Sequence, residues 1–168
     1  MSQPHRILVP FLAAVLQAAV VCPAAAQTKA GDVFPSLAGA GLSGVVPDSA
    51  GKVVLVDFWA SWCAPCRASF PAYARLQSQY APRGLVIVAV SVDEDQSDYD
   101  GFLRKFAPPF STVRDQGQHL AAAVGIPGMP TSYLMDRSGR VRWVHEGFHS
   151  GDTEPALRRE IELLLSEK

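Results

Sequence analysis

The chain has 168 residues, with 15 Lys and Arg against 16 Asp and Glu, a formal charge of −1, and 48% apolar residues. That length and apolar share suit one domain with a real core plus a small appendage. The near-neutral balance excludes the strong basic excess that nucleic acid or an anionic membrane surface requires.

His5 and Arg6 precede an apolar run from Ile7 to Val21, interrupted by Pro10 and Gln17. Ala24 and Ala26 then fit an A-x-A cleavage site, with the cut after Ala26. The run is short for a membrane span, which needs roughly 20 residues. Residues 1–26 are therefore expected to be a signal peptide, and 27–168 the mature domain, exported to the periplasm with no stable membrane insertion after cleavage. Left uncleaved, the same run would anchor the domain facing the periplasm. Cys22 makes a poor lipidation site, because the bulky Val21 stands where a small residue is wanted. Cleavage would leave Cys63 and Cys66 alone. A structural disulfide framework needs several spaced pairs, so it is excluded. What remains is one close pair in a compartment that permits disulfides.

Gln27 to about Asp32 is polar and expected to be mobile. Val33 to Gly51 is rich in Gly, Ala, Ser and Pro, with room for short strands leading into the domain. Val53-Val54-Leu55-Val56-Asp57-Phe58 is an apolar run broken by one acid, and reads as a strand buried on both faces. Cys63 to about Tyr80 has helical character, with Pro71 as an expected kink. Leu85 to Val92 reads as a second buried strand. Tyr99, Phe102, Leu103 and Phe106 fall at helical spacing, and Pro108-Pro109 stops that helix. Phe110–Val113 suits a short strand and His119–Val124 a short helix. Ser132–Met135 and Val141–Val144 read as strands joined by a turn at Asp136-Arg137-Ser138-Gly139. A last helix begins near Asp152, with Leu157, Ile161, Leu164 and Leu165 as its apolar stripe. The early alternation implies a parallel βαβ core, and the late strand pair an antiparallel hairpin at one edge. The expected fold class is α/β, a mixed central sheet with helices on both faces.

The chemistry centres on Phe58-Trp59-Ala60-Ser61-Trp62-Cys63-Ala64-Pro65-Cys66, which joins the first strand to the next helix. Cys63 falls at the expected helix N-terminus, where unpaired N–H groups and the helix dipole favour a thiolate. The thiolate is the form that attacks a disulfide. Cys66, three residues on, can resolve a mixed disulfide held by Cys63. Helical neighbours at this spacing have Cβ atoms about 5–6 Å apart, whereas a relaxed disulfide wants about 3.5–4.5 Å. The turn is thus expected to tighten, and the bridge closes too small a loop to stabilise much. A bridge of this kind suits opening and closing.

Zinc would need two further ligands, and His119, His145 and His149 lie far along the chain. Soft thiolates select Cu(I), so a Cu(I)-binding metallochaperone using the same cysteines is an alternative. Asp57 interrupts a buried run, so its carboxyl should be desolvated and its pKa raised. Poised near neutrality, it can accept and return the proton of Cys66. The bland alternative is an acid satisfied structurally by a lysine or a backbone N–H.

Val53–Pro71 resembles the thioredoxin superfamily, and within it the exported TlpA/ResA-like disulfide reductases. The matching residues run Asp57-Phe58-Trp59-Ala60-Ser61-Trp62-Cys63-Ala64-Pro65-Cys66-Arg67, with Pro71 five residues after Cys66. Val124-Gly125-Ile126-Pro127-Gly128-Met129-Pro130-Thr131 is similar to that family's second motif, in which the proline is cis. The resemblance covers about Asp32 to Leu165. It implies a thioredoxin fold with a helix-containing insertion between Ser91 and Val124, and a redox-active disulfide at Cys63 and Cys66. It also puts the superfamily's buried acid at Asp57 and sets Pro130 against the disulfide, with Met129 where the backbone pairs with a partner's chain. Trp62 is expected as an exposed wall of the substrate groove, and Trp59 as core packing. Arg67 and His145 read as surface or structural. The implied activity is protein-disulfide reduction, with protein thiols and disulfides as partners and electrons from a membrane donor. Cytochrome c or oxidase copper-site maturation is the implied setting. No cofactor or metal is implied. Ser69 stands where many of those relatives carry Glu, and Asp57 where several carry Asn. A thiol peroxidase is a further alternative, but the Pro/Thr-rich loop usual before its cysteine is missing.

Overall fold

The apolar run of residues 53–58 offers no polar face to water, and it becomes the central strand of the sheet. The computed structural model describes residues 27–167; the expected signal peptide, with Cys22, lies outside them. β1 (Val53–Trp59) is buried at every position. It is followed by α1 (Ala64–Tyr80), β2 (Leu85–Ser91), α2 (Gln96–Phe106), β3 (Ser111–Arg114), α3 (His119–Val124), β4 (Thr131–Met135), β5 (Val141–Glu146) and α4 (Thr153–Ser166). The five strands lie in the order β3-β2-β1-β4-β5. β1, β2 and β3 run parallel, and β4 and β5 add the antiparallel hairpin. This is the thioredoxin fold.

The register has one consequence for the site. Asp57 sits opposite Ala89 in β2 and Ser132 in β4, and Ser132 sits opposite His145 in β5. Cross-strand partners share a face, so Ala89, Asp57, Ser132 and His145 form one row across four strands. Alternation along β1 puts Asp57 and Trp59 on the same face, and α1 covers it. Trp59 meets Phe70 of α1 and Phe102 of α2, with ring centroids 5.0 and 4.3 Å away. Phe70 also meets Phe110 at 5.3 Å. α4 is tied to α1 through Glu154 on Arg75, at 2.5 Å, and Glu162 on Tyr80, at 2.6 Å. Its buried stripe is Leu157, Ile161 and Leu164, with Leu165 half-buried. On the opposite face, Phe58 packs edge-on to Tyr133, which meets Phe34 at 5.2 Å. α3 lies beside that segment, where Pro35, Ser36, His119 and Leu120 line one cavity.

Two expectations fail in the N-terminal stretch. Gln27 to Asp32 is tied down rather than mobile: Thr28 N–H donates to the Val124 carbonyl at 2.8 Å, and Gly31 N–H to that of Val141 at 2.8 Å. Its backbone finds partners at the end of α3 and the start of β5, which a polar composition does not reveal. Residues 33–51 form no strand. They hold a short 3₁₀ turn at Leu37–Gly39 and make single-pair bridges from Val33 to Arg140 and from Ser43 to Arg114. Among the described residues, no helix is long and apolar enough to cross a membrane.

Phe70 joins α1 to α2 and to the Phe110 segment, and it is almost fully buried. Phe70→Ala is expected to cost about 3–5 kcal/mol, the usual range for a large aromatic lost from a core. Denaturant titration measures it.

Candidate active site

β1 ends at Trp59 and the chain turns through Ala60-Ser61-Trp62 into α1. Cys63 is the N-cap of that helix, with extended backbone angles (φ −80°, ψ 108°), and Pro65 falls in its first turn. A proline is harmless there, because first-turn N–H groups have no intrahelical partner. Cys63 and Cys66 are joined by a disulfide, with Cα atoms 5.3 Å apart. The expected tightening of a helical turn is not needed. Cys63 stands outside the helix, so the bridge links the N-cap to the first turn. The Cys66 N–H is directed at the Cys63 sulfur at 3.3 Å, the contact that would stabilise a thiolate there. Cys63 keeps 6% of its surface exposed and Cys66 none.

A buried polar cluster is centred on Asp57 of β1. The Asp57 Oδ1 accepts from the Tyr73 hydroxyl at 2.9 Å and from the Ser132 hydroxyl at 2.7 Å. Those two hydroxyls are 2.8 Å from each other. The Asp57 Oδ2 is buried and has no hydrogen-bond partner among the described residues. Burial pushes the Asp57 carboxyl up to about 7, and the Ser132 and Tyr73 hydrogen bonds oppose that rise. Burial, reinforced by the Asp57 charge, holds the Tyr73 phenol well above its ordinary range, so it remains a donor. Neither a lysine nor a backbone N–H satisfies Asp57; two hydroxyls do. Cys66, Ser69 and Tyr73 are all buried on α1, and the Ser69 hydroxyl donates to the Cys66 carbonyl at 2.8 Å.

The remaining predicted residues are placed as follows. Trp62 is 66% exposed beside Cys63, while Trp59 is fully buried. The Met129–Pro130 peptide is cis, with Pro130 buried and Met129 half-buried at the start of β4. His145 pairs with α4, its Nε2 2.7 Å from the Glu160 Oε2. Among the described residues no three His, Cys, Asp or Glu side chains cluster as metal ligands would.

Sequence reasoning passed over one further anchor. The Asp93 carboxylate accepts the Ser61 N–H on both oxygens, at 3.0 and 3.1 Å, and the Ser61 hydroxyl at 2.9 Å. Arg67 donates to the Ser61 carbonyl at 3.1 Å. Every polar group of Ser61 is thereby held, and the turn that presents Trp62 and Cys63 is set from two sides. An acid directly after the apolar strand Leu85–Val92 was the available signal. Tyr73 carried a fainter one, seven residues after Cys66 and so on the same helical face.

The Redoxin family model matches residues 29–161. The chain belongs to this family. It is a TlpA/ResA-like member of the thioredoxin superfamily. A solved structure from Chlorobium tepidum, assigned as the thiol:disulfide interchange protein DsbE, is 36% identical with a TM-score of 0.77, covering 83% of this chain and all of that one. The thiol-disulfide oxidoreductase ResA of Bacillus thuringiensis is 33% identical over 94 residues, 56% of this chain and 54% of that protein. ResA of Halalkalibacterium halodurans is 32% identical over 117 residues, 70% and 65% respectively. The chain thus spans about half to two thirds of the length of these curated relatives.

The Asp57 titration has a signature in stability. Between about pH 4 and 7 the folded chain holds a proton that the unfolded chain has released, so stability falls as pH rises through that window and levels off above it. Asp57→Asn removes this dependence. The denaturant midpoint of the oxidised variant is expected to gain on the wild type steadily from pH 4 to 7 and to hold a constant lead above. A difference independent of pH would mean that Asp57 does not titrate in that range.

Proposed function

We propose that this chain is an exported thiol–disulfide oxidoreductase, acting chiefly as a reductase of protein disulfides through Cys63 and Cys66. One observation carries the reading: a disulfide at a helix N-cap, with Cys63 slightly exposed and Cys66 fully buried, in a fold that also buries a carboxyl poised near neutral pH. Relatives named for thiol–disulfide oxidation and interchange support it.

In the reduced protein the Cys63 thiolate attacks a partner's disulfide. A mixed disulfide forms, and one partner sulfur leaves as thiolate. Cys66 then gives its proton to Asp57 and attacks the Cys63 sulfur. The Cys63–Cys66 bond forms, and the partner's second sulfur departs. The partner gains two electrons and the enzyme loses them, so an external donor must restore the dithiol. A membrane reductase is that donor on the resemblance, and cytochrome c or oxidase copper-site maturation is the corresponding setting. Trp62, Met129 and Pro130 form the docking rim. Trp62 offers exposed apolar area beside the attacking sulfur, and the backbone around Met129 pairs with an extended segment of the partner.

Attack order is tested by trapping. Cys66→Ser is expected to accumulate mixed disulfides with partners, and Cys63→Ser none. Alkylation of the reduced protein should modify Cys63 faster than Cys66, with a Cys63 pKa below the free-thiol value of about 8.5. Faster modification of Cys66 would reverse the assignment. Rapid reaction with hydroperoxide, or tight Cu(I) binding without insulin reduction, would replace the whole reading.

Export is tested on the same protein. N-terminal sequencing of the periplasmic product should read from Gln27. Recovery of intact residues 1–26 in a membrane fraction would make this an anchored enzyme.

A further inference from the structure

Complete burial without a countercharge ordinarily makes a carboxyl too weak an acid to titrate near neutral pH. Among the described residues, no charged side chain hydrogen-bonds or ion-pairs with Asp57. Its neighbour in β2 is Ala89. In the same row His145 of β5 is taken up by Glu160 of α4, at 2.7 Å. From α1 comes the Tyr73 phenol; Cys66, on the same helix, is locked in the disulfide. What meets the carboxyl is a pair of hydroxyls, Tyr73 and Ser132, both on Oδ1, while Oδ2 stays buried and unpartnered among the described residues.

We infer that Tyr73 and Ser132 stand in for a counter-cation, poising Asp57 through Oδ1 and leaving Oδ2 free to take the Cys66 proton. The inference rests on the exchange reaction proposed above and deepens it. In that step the Cys66 S–H bond breaks, an O–H bond forms on Asp57, and the electron pair left on sulfur attacks Cys63. Tyr73 and Ser132 are positioning residues: they act through the base, to which both hydrogen-bond.

The chemistry favours hydroxyls here. A hydrogen bond to an ionised oxygen is stronger than one to a neutral oxygen, so both lower the Asp57 pKa from where burial alone would put it. An ammonium group would overshoot and hold the acid ionised. Each hydroxyl is also a rotor. When Asp57 is charged both can point at Oδ1. When it is neutral, one can turn to the other across 2.8 Å. The two hydroxyls and Oδ1 thus keep partners in both charge states without moving a heavy atom, as a group that titrates on every turnover requires.

Carboxyl-carbon NMR of ¹³C-Asp-labelled oxidised protein tests this, because the Cys63–Cys66 pair then contributes no titrating thiol. The signal lost in Asp57→Asn identifies Asp57. Tyr73→Phe and Ser132→Ala are each expected to raise its midpoint by about one pH unit. Ser132→Thr, which keeps the hydroxyl, should leave it near the wild-type value. At pH 7 the two raising variants should reduce insulin about fivefold more slowly, with the rising limb of the pH–rate profile moved up by the same amount. Midpoints unmoved or lowered in both variants would overturn the inference. So would a midpoint that follows His145→Gln instead. Shifted midpoints in a protein that exchanges no disulfides would leave the hydroxyl pair standing and remove the proposed reaction.

Discussion

A single carboxyl inside the central strand constrains the rest of this molecule. Asp57 lies in the middle of a sheet, with strands on both sides and α1 above it. Burying an ionised carboxylate without partners is costly, and proteins avoid it by neutralising the group or by supplying hydrogen bonds. Here both happen. The pKa rises to about 7, and two hydroxyls engage one oxygen. The requirement reaches across the fold, since Tyr73 comes from α1 and Ser132 from β4, 16 and 75 residues further along the chain. The helix must cover the sheet at this height, and the hairpin must keep this register. A slip of one residue in β4 would turn Ser132 to the other face.

The cysteines depend on a different geometry at the same end of β1. The turn from strand to helix places Cys63 at the N-cap and Cys66 within the first turn, and the Asp93–Ser61–Arg67 set holds that turn from both sides. The anchoring acid comes from the end of β2, which runs parallel to β1 and therefore delivers its own loop to the same edge. Parallel strands bring the residues that follow them together, which is why the ends of such strands collect functional groups. The aromatic packing of Trp59, Phe70 and Phe102 seats α1 and α2 below this edge.

Much of this was legible in the chain itself. The strands and helices follow from local pattern: an unbroken apolar run for β1, helical spacing in α2, and Asp-Arg-Ser-Gly between β4 and β5. The cysteine pair and the odd acid in an apolar strand stood out as chemistry on residue type alone. The raised Asp57 pKa was also legible, because desolvation depends only on the strand being buried. The N-terminal stretch was not. Its short contacts to residues far along the chain leave no local trace, so a polar opening looked mobile and a Gly- and Pro-rich passage looked as though it held strands.

The sequence by itself determined the elements, the redox pair and the presence of a buried acid, because each arises from interactions between near neighbours in the chain. Tertiary structure alone decided what satisfies that acid. A lysine, a backbone N–H and a pair of hydroxyls were equally compatible with the strand's composition. The choice was made by the register that sets Ser132 beside Asp57 and by the packing of α1 that brings Tyr73 over it. The same holds for Asp93 and Ser61, 32 residues apart and joined only because two parallel strands end side by side. Hydrogen bonds of this kind depend on distances in space, which a local pattern does not encode.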